Sequence, residues 1–492
     1  MKRIVQYSIY LFCTQWTKIW NSVFKKNSYK KTNDQANCDL EESEKSALLL
    51  HLKKYHQSRP LGPTKSICYA PSRSIYFGFE GNVVPCCFNR DFVYGSYPQQ
   101  TVKTVINGDK RQQLQEILDY QDFSKGCRHC RSQIMAGNYE GVEARLYDKL
   151  KKNSGFPSEM IFELENTCNL ECSMCDGRFS SSILKNREFS PISPSPYDHE
   201  FFEQIKPYLK KLHVAKFLGG EPFLIKSYYE IWEELIKYNP DCFINLQTNG
   251  TVYNQKIEDL LKRGRFQIGV SIDSLNHKRF GEIRKNADLN QVFENLEKFI
   301  KYTRKSGSFV NISVCPMQQN WEEIPDIVNF SNNKNVFIYF NTVYNEGFSL
   351  QELDSVTLKK IITHYKKAEI NGNSYISKRN KRFFYDLIHQ IEEWYKIKSD
   401  SEQSFIPKWE YTHHSLLLII KNMLSDEYPL FEARIQSAIE DLPEKMMLND
   451  HQKQMLEEMK KEELIQSIQN ESPVLLKQRM FNFIKNSSFD LE

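Results

Sequence analysis

The chain has 492 residues, more than one compact core usually supports, so at least two domains are expected. Its 66 Lys and Arg stand against 62 Asp and Glu, and a formal charge of +4 over this length gives no reason to expect nucleic acid. The apolar opening from Ile4 to Cys13 is broken by Gln6, Tyr7 and Ser8, falls short of the ~20 residues a membrane-spanning helix needs, and runs into Trp16 and Trp20 rather than a signal-cleavage site. A cytoplasmic chain with no transmembrane segment is expected.

Residues 1–59 read as a helical extension in which Ile4 to Cys13 forms an amphipathic helix, docked on its own protein or lying on a membrane surface. His51 and His56 sit in a Leu-rich helical pattern and read as packing or surface residues. Next, Ser74 to Phe79 and Val83 to Cys87 flank Glu80, Gly81 and Asn82, a hairpin signal that carries Cys86. Lys110 to Tyr120 has the period of a short amphipathic helix, and Cys127-Arg128-His129-Cys130 follows. Residues 60–150 therefore read as a small cysteine-rich α+β module.

From Met160 to Val343 short apolar runs alternate with helical patterns, the mark of repeated strand–helix units around a parallel sheet. Six strands are expected: Ile161 to Leu164, Val214 to Leu218, Phe243 to Gln247, Phe266 to Ile272, Val310 to Cys315 and Val336 to Phe340. Helical patterns over Phe201 to Leu212, Tyr228 to Tyr238, Ile257 to Lys262 and Val292 to Tyr302 lie between them, and crossovers of this size close into a partial (β/α)6 barrel. Ser190 to Pro196 is a loop by composition. Residues 155–345 are thus an α/β core, and 346–492 are expected to be helical to the end, with a strongly charged stretch from Glu444 to Glu463.

Twelve cysteines in such a chain point to metal ligands or thiols rather than a disulfide framework. Cys168, Cys172 and Cys175 follow the first core strand as CxxxCxxC, at the strand end where parallel α/β folds build their sites. Thiolates suit iron, and a cubane usually takes four ligands, so three cysteines leave one iron open. A structural zinc loop completed by a distant fourth ligand is the alternative. Gly219-Gly220-Glu221-Pro222 ends the second strand, where glycine lets backbone approach a ligand. Thr248-Asn249-Gly250 and Ser271-Ile272-Asp273 end the third and fourth; Asn249-Gly250 as a plain turn and Asp273 as a helix cap are the ordinary readings.

Over residues 155–345 these motifs together resemble the radical S-adenosylmethionine (SAM) family. The resemblance implies that Cys168, Cys172 and Cys175 hold a [4Fe–4S] cluster, that Met174 approaches the adenine of SAM, and that Gly219, Gly220, Glu221 and Pro222 form the turn binding its methionine amino group. It further implies Ser271 as a ribose contact and Asn249 at the same face. Val314-Cys315-Pro316 departs from the family's fifth-strand glycine motif, so no residue is assigned there. The activity implied is reductive cleavage of SAM to a 5′-deoxyadenosyl radical that abstracts hydrogen from a substrate.

Cys68, Cys86, Cys127 and Cys130, with Gly81 five residues before Cys86, resemble the SPASM or shortened twitch module, which implies an auxiliary [4Fe–4S] cluster. Such modules usually follow the barrel; this one precedes it. A four-cysteine zinc site is the alternative, and Cys87 or His129 could enter the ligand set, although strand alternation aims Cys86 and Cys87 to opposite faces. Cys242 and Cys315 read as core residues, and Cys13 and Cys38 stay unassigned. By resemblance the substrate is a peptide or protein side chain, with a small-molecule (sugar or cyclitol) dehydrogenase or epimerase, or a non-catalytic scaffold, as alternatives, and a flavodoxin or ferredoxin as electron donor. The catalytic acid or base is not legible. Two cubanes predict roughly eight irons per chain after anaerobic reconstitution, falling to about four when Cys168, Cys172 and Cys175 are all replaced by Ala, as iron and sulfide analysis will measure.

Overall fold

Aromatic and β-branched runs make the strands that organise the chain, and the rise of one strand face toward helices explains their alternation. The computed structural model describes residues 42–439 apart from 153–154, 190–193, 346 and 405–408, with 442, 445–448, 461, 464, 465 and 468 beyond. The expected helix at Ile4 to Cys13, Cys13, Cys38, part of the Ser190 to Pro196 loop and most of the Glu444 to Glu463 stretch lie outside the described residues.

The strands in chain order are β1 (Ser74–Phe77), β2 (Asn82–Val84), β3 (Gly95–Ser96), β4 (Glu159–Phe162), β5 (Val214–Phe217), β6 (Phe243–Thr248), β7 (Arg265–Ser271), β8 (Val310–Val314) and β9 (Phe337–Phe340). They form one sheet in the order β3-β2-β1-β4-β5-β6-β7-β8-β9. β4 to β9 are the six expected core strands, all parallel. β1 and β2 are the expected antiparallel hairpin. The sheet extends beyond these six, because β1 also pairs in parallel with β4, Ser74 opposite Glu159 and Tyr76 opposite Ile161. The cysteine-rich segment therefore extends the core sheet by a seventh parallel strand. Ser74 Oγ donates to Glu159 Oε2 at 2.8 Å across this pairing.

Helices cover one face of the sheet. Lys226–Tyr238 buries Tyr228, Ile231, Trp232 and Leu235 at helical spacing. Trp232 meets Phe217 edge-on at 5.5 Å, and Phe77, Phe162 and Phe217 stack across β1, β4 and β5 at 5.8 and 5.1 Å. Asp198 and Asn254 cap the helices His199–Leu209 and Gln255–Arg263 by accepting from the amides of Phe201 and Ile257. The alternate positions on the other face, Lys216, Asn245, Gln247 and Asn311, are only half-buried. They give the sheet a polar inner surface.

Among the described residues, 42–394 form one compact unit and those from 395 onward another. In the second, the helices His413–Leu424 and Tyr428–Ile439 bury Leu416, Ile420, Leu424, Ile435 and Ile439 together with Leu464 and Ile468. This region was expected to be helical throughout, but β10 (Trp409–Thr412) and β11 (Lys445–Leu448) pair antiparallel there. Trp409, Tyr411 and Thr412 are strand formers.

The helix Glu42–Ser58 is tied down at its end by Arg59, which forms a two-pronged ion pair with Asp148. Both side chains are essentially unexposed. Removing one partner strands a buried charge, so Asp148→Ala should cost about 3–5 kcal/mol in denaturant unfolding of the full chain.

Candidate functional site

The strand ends of β4, β5, β6 and β7 bring the CxxxCxxC loop, the glycine turn, Thr248-Asn249 and Ser271 to the same edge of the sheet. Cys168 begins the loop, its amide donating to Ser181 Oγ at 3.1 Å and its carbonyl accepting from Ser182 Oγ at 2.8 Å. The Leu170 amide points at Cys168 Sγ. Cys172 is buried, while Cys168 and Cys175 are half-exposed. Burial pushes the Cys168 thiol up to about 11, whereas the hydrogen bond from Cys175, opposed by burial and helped by Arg284, holds Cys172 below the usual thiol range and drives its partner Cys175 upward. Met174 packs against Ile283, Met317 and Val343, and its carbonyl accepts from Asn345 Nδ2.

Gly219 and Gly220 lie against this loop with φ of +78° and +33°. A Cβ on Gly220 would sit 2.2 Å from the Thr167 carbonyl oxygen, and one on Gly219 2.7 Å from that of Glu165. The turn is therefore bare backbone pressed to the cysteine loop. Glu221 is fully buried; its carboxylate accepts from Thr248 Oγ1 at 2.7 Å and from the amides of Asn249 at 2.7 Å and Phe223 at 3.1 Å. Burial raises it to about 7 against those bonds. Pro222, also buried, starts the short helix after the turn. Asn249 donates to Asn169 Oδ1 at 2.9 Å and accepts from Thr251, so its amide side chain is committed to joining the TNG turn to the cysteine loop. Ser271 accepts from Gln247 Nε2, and Gln247 Oε1 accepts from Ser313 Oγ, both at 2.9 Å.

Residues that sequence reading passed over hold the loop from behind. Glu171 accepts from Asn186, Lys285 and Asn286, and the amides of Glu171 and Ser173 donate to the carbonyls of Lys285 and Ile283. Arg284 reaches from that segment to Cys172 Sγ and to Asp273. Only its position after the helix His277–Ile283 hints at this. Asp273, for which a helix cap is the ordinary reading, accepts from the Cys315 amide and the Arg284 side chain.

The second set lies in the cysteine-rich segment. Cys68, Cys86, Cys127 and Cys130 line one pocket. Four thiols lining one pocket are the donor set that an iron–sulfur cluster takes, one thiolate per iron. Backbone and side-chain amides already aim at these sulfurs: Ala70 at Cys68, Asn89 N–H at Cys86 and Asn89 Nδ2 at Cys127, at 3.3 to 3.4 Å. Cys86 faces the pocket, while Cys87 turns to Glu143 and packs beside Tyr76, Val84 and Ile161. His129 also lines the pocket, stacked on Phe88 at 3.7 Å with Nδ1 2.9 Å from Tyr344 Oη. Cys242 is buried, as expected of a core residue, and Cys315 is half-buried beside Ile283, Met317 and Val343. Both cysteine sets thus fit iron–sulfur clusters, and the bare turn beside the first fits a close-lying cofactor.

Comparison with known proteins agrees. Residues 163–331 match the Radical SAM superfamily and residues 68–131 an iron–sulfur cluster-binding (SPASM) domain. The matches imply a [4Fe–4S] cluster with SAM in the core and an auxiliary iron–sulfur cluster before it, and the zinc alternatives give way to them. GTP 3′,8-cyclase of Clostridium botulinum (strain Okra / Type B1) is 27% identical over 202 residues, 40% of this chain and 60% of that protein. The same enzyme of Helicobacter pylori (strain HPAG1) is 28% identical over 175 residues, 35% of this chain and 51% of that protein. The chain thus spans 60% or less of these relatives. Among solved structures, Streptococcus suis SuiB bound to S-adenosylmethionine shares 17% identity over 49% of this chain and 54% of its own, with a TM-score of 0.32. Among the described residues no helix is long and apolar enough to cross a membrane. Because an added methyl at Gly220 meets backbone, Gly220→Ala should weaken SAM binding at least tenfold, about 1.4 kcal/mol, in equilibrium dialysis, with the iron of the N-terminal pocket retained.

Proposed function

We propose that this chain, a member of the radical SAM superfamily with an N-terminal SPASM domain, generates a radical from SAM and uses it to abstract hydrogen from a peptide or protein side chain. The observation that carries the reading is the meeting of the three-cysteine loop with the Gly219–Gly220 backbone at one edge of the sheet. Cys168, Cys172 and Cys175 would hold the core cluster, and Cys68, Cys86, Cys127 and Cys130 the auxiliary one. When bound, the core cluster and SAM supply a 5′-deoxyadenosyl radical.

The protein's own share is orientation. Gly219 and Gly220 offer peptide groups unscreened by side chains, while Met174 would approach the adenine and Ser271, at the end of β7, would meet a ribose hydroxyl. Glu221 and Asn249 act from behind, fixing the turn and the cysteine loop against one another. Below these loops the half-buried Lys216, Asn245, Gln247 and Asn311 would give a substrate polar partners. Lys216 lies 3.4 Å from Glu143, which also lines the auxiliary pocket, so the polar face and that pocket share a residue. The radical class of chemistry calls for a one-electron donor such as flavodoxin or ferredoxin, in the cytoplasm.

A small-molecule substrate is the second reading, favoured by the relatives named GTP 3′,8-cyclase across the core. The test is anaerobic incubation of the reconstituted chain with SAM and a reductant, following 5′-deoxyadenosine by chromatography, first with peptides co-purified from the source cells and then with GTP and sugars. Stimulation several-fold above the uncoupled rate by peptides alone supports the main reading, and stimulation by GTP or a sugar alone replaces it with the second. No 5′-deoxyadenosine from protein that carries both clusters would refute both.

A further inference from the structure

We infer that Arg284 is a positioning residue for the cluster of Cys168, Cys172 and Cys175, raising its reduction potential through a charge-assisted hydrogen bond to the Cys172 sulfur, and that Asp273 sets the strength of that effect. The inference rests on the function proposed above.

Its basis is a register. The Glu171 amide donates to the Lys285 carbonyl at 3.1 Å, and the Ser173 amide to the Ile283 carbonyl at 2.8 Å. These two bonds bracket Cys172 on one segment and Arg284 on the other, so the backbone itself puts the guanidinium opposite the sulfur. Arg284 Nη1 lies 3.7 Å from Cys172 Sγ, and Nε 2.6 Å from Asp273 Oδ2. The Asp273 side chain is unexposed and that of Arg284 nearly so. The other carboxylate oxygen, Oδ1, accepts from the Cys315 amide at 2.6 Å, and Asn320 Nδ2 donates to the Asp273 carbonyl at 2.8 Å. The carboxylate therefore cannot swing toward the sulfur, and the guanidinium stays between the two.

A reduced cluster carries one more negative charge than its oxidised form. A fixed cation and a hydrogen bond at a ligand sulfur favour the reduced form, and burial strengthens the effect. A buried Arg–Asp pair is a weak contributor to stability in itself, often replaceable by apolar side chains. Here the fork of the guanidinium joins a carboxylate to a metal-binding thiol, which an arrangement kept only for packing does not need.

The test is an EPR-monitored redox titration of the full, reconstituted chain without SAM, reading the signal that the Cys168→Ala, Cys172→Ala, Cys175→Ala variant lacks. Arg284→Gln should move the midpoint to more negative potential, and Arg284→Lys should restore part of the shift. Asp273→Asn keeps an acceptor for the Cys315 amide but leaves the cation unneutralised, so it should move the midpoint the opposite way. Iron content and thermal midpoint are read in parallel. Midpoints equal to the parent's, or shifts of the same sign in Arg284→Gln and Asp273→Asn, overturn the inference. So does loss of iron in every variant including Arg284→Lys, which assigns the pair to folding. A parent without the assigned signal would instead sink the functional reading on which this one stands.

Discussion

One buried carboxylate, that of Glu221, keeps three strand ends in a fixed relation. Its oxygens are taken by the Thr248 hydroxyl and by the amides of Asn249 and Phe223, and its own amide donates to the Thr167 carbonyl. A carboxylate taken from water needs such partners, and three donors are what make the burial affordable. The glycine turn after β5, the TNG turn after β6 and the cysteine loop after β4 are consequently one hydrogen-bonded body. Asn249 and Asn169 close the same circuit from the side. Precision at a loop-built site comes from this kind of support, since loops alone are the least constrained parts of an α/β fold.

The cysteine loop is held on its other flank by a different means. Glu171 collects three donors from Asn186, Lys285 and Asn286, while two backbone bonds run to the segment after the helix His277–Ile283. Of the three thiols, Cys172 is the one walled in by protein. The N-terminal pocket repeats the principle with Asn89, which reaches Cys127 and the Lys125 carbonyl from the loop of Cys86.

Much of this was legible beforehand because it depends on local pattern. The six core strands show as short apolar runs between helical ones, and the CxxxCxxC and GGEP strings stand directly after strands. The roles of Glu221 and Asn249 were less so. Sequence places them at the cofactor face, but which way a side chain turns depends on partners distant in the chain, and both turn inward to brace neighbouring loops. Arg284 gave no signal beyond its place after a helix, where an arginine is ordinarily a C-terminal charge complement. Nor could the strand β1 announce its second neighbour. A hairpin strand reveals its turn partner through the intervening residues, whereas parallel pairing with β4 is decided by burial of Phe77 against Phe162. The hairpin of β10 and β11 was missed because its two strands are separated by two helices, so no short turn joins them.

The parallel pairing of β1 with β4 also governs how the chain comes into being. Ser74 and Glu159, which face one another, are 85 residues apart. At ordinary rates of translation the hairpin leaves the ribosome on the order of ten seconds before its partner strand exists. During that interval β1 presents an open edge and the nearby thiols of Cys68 and Cys86 have no finished pocket to shelter them. Folding of this protein is therefore a matter of waiting as well as of speed, and the cell must keep a half-made sheet, and its cysteines, from other partners until the core arrives.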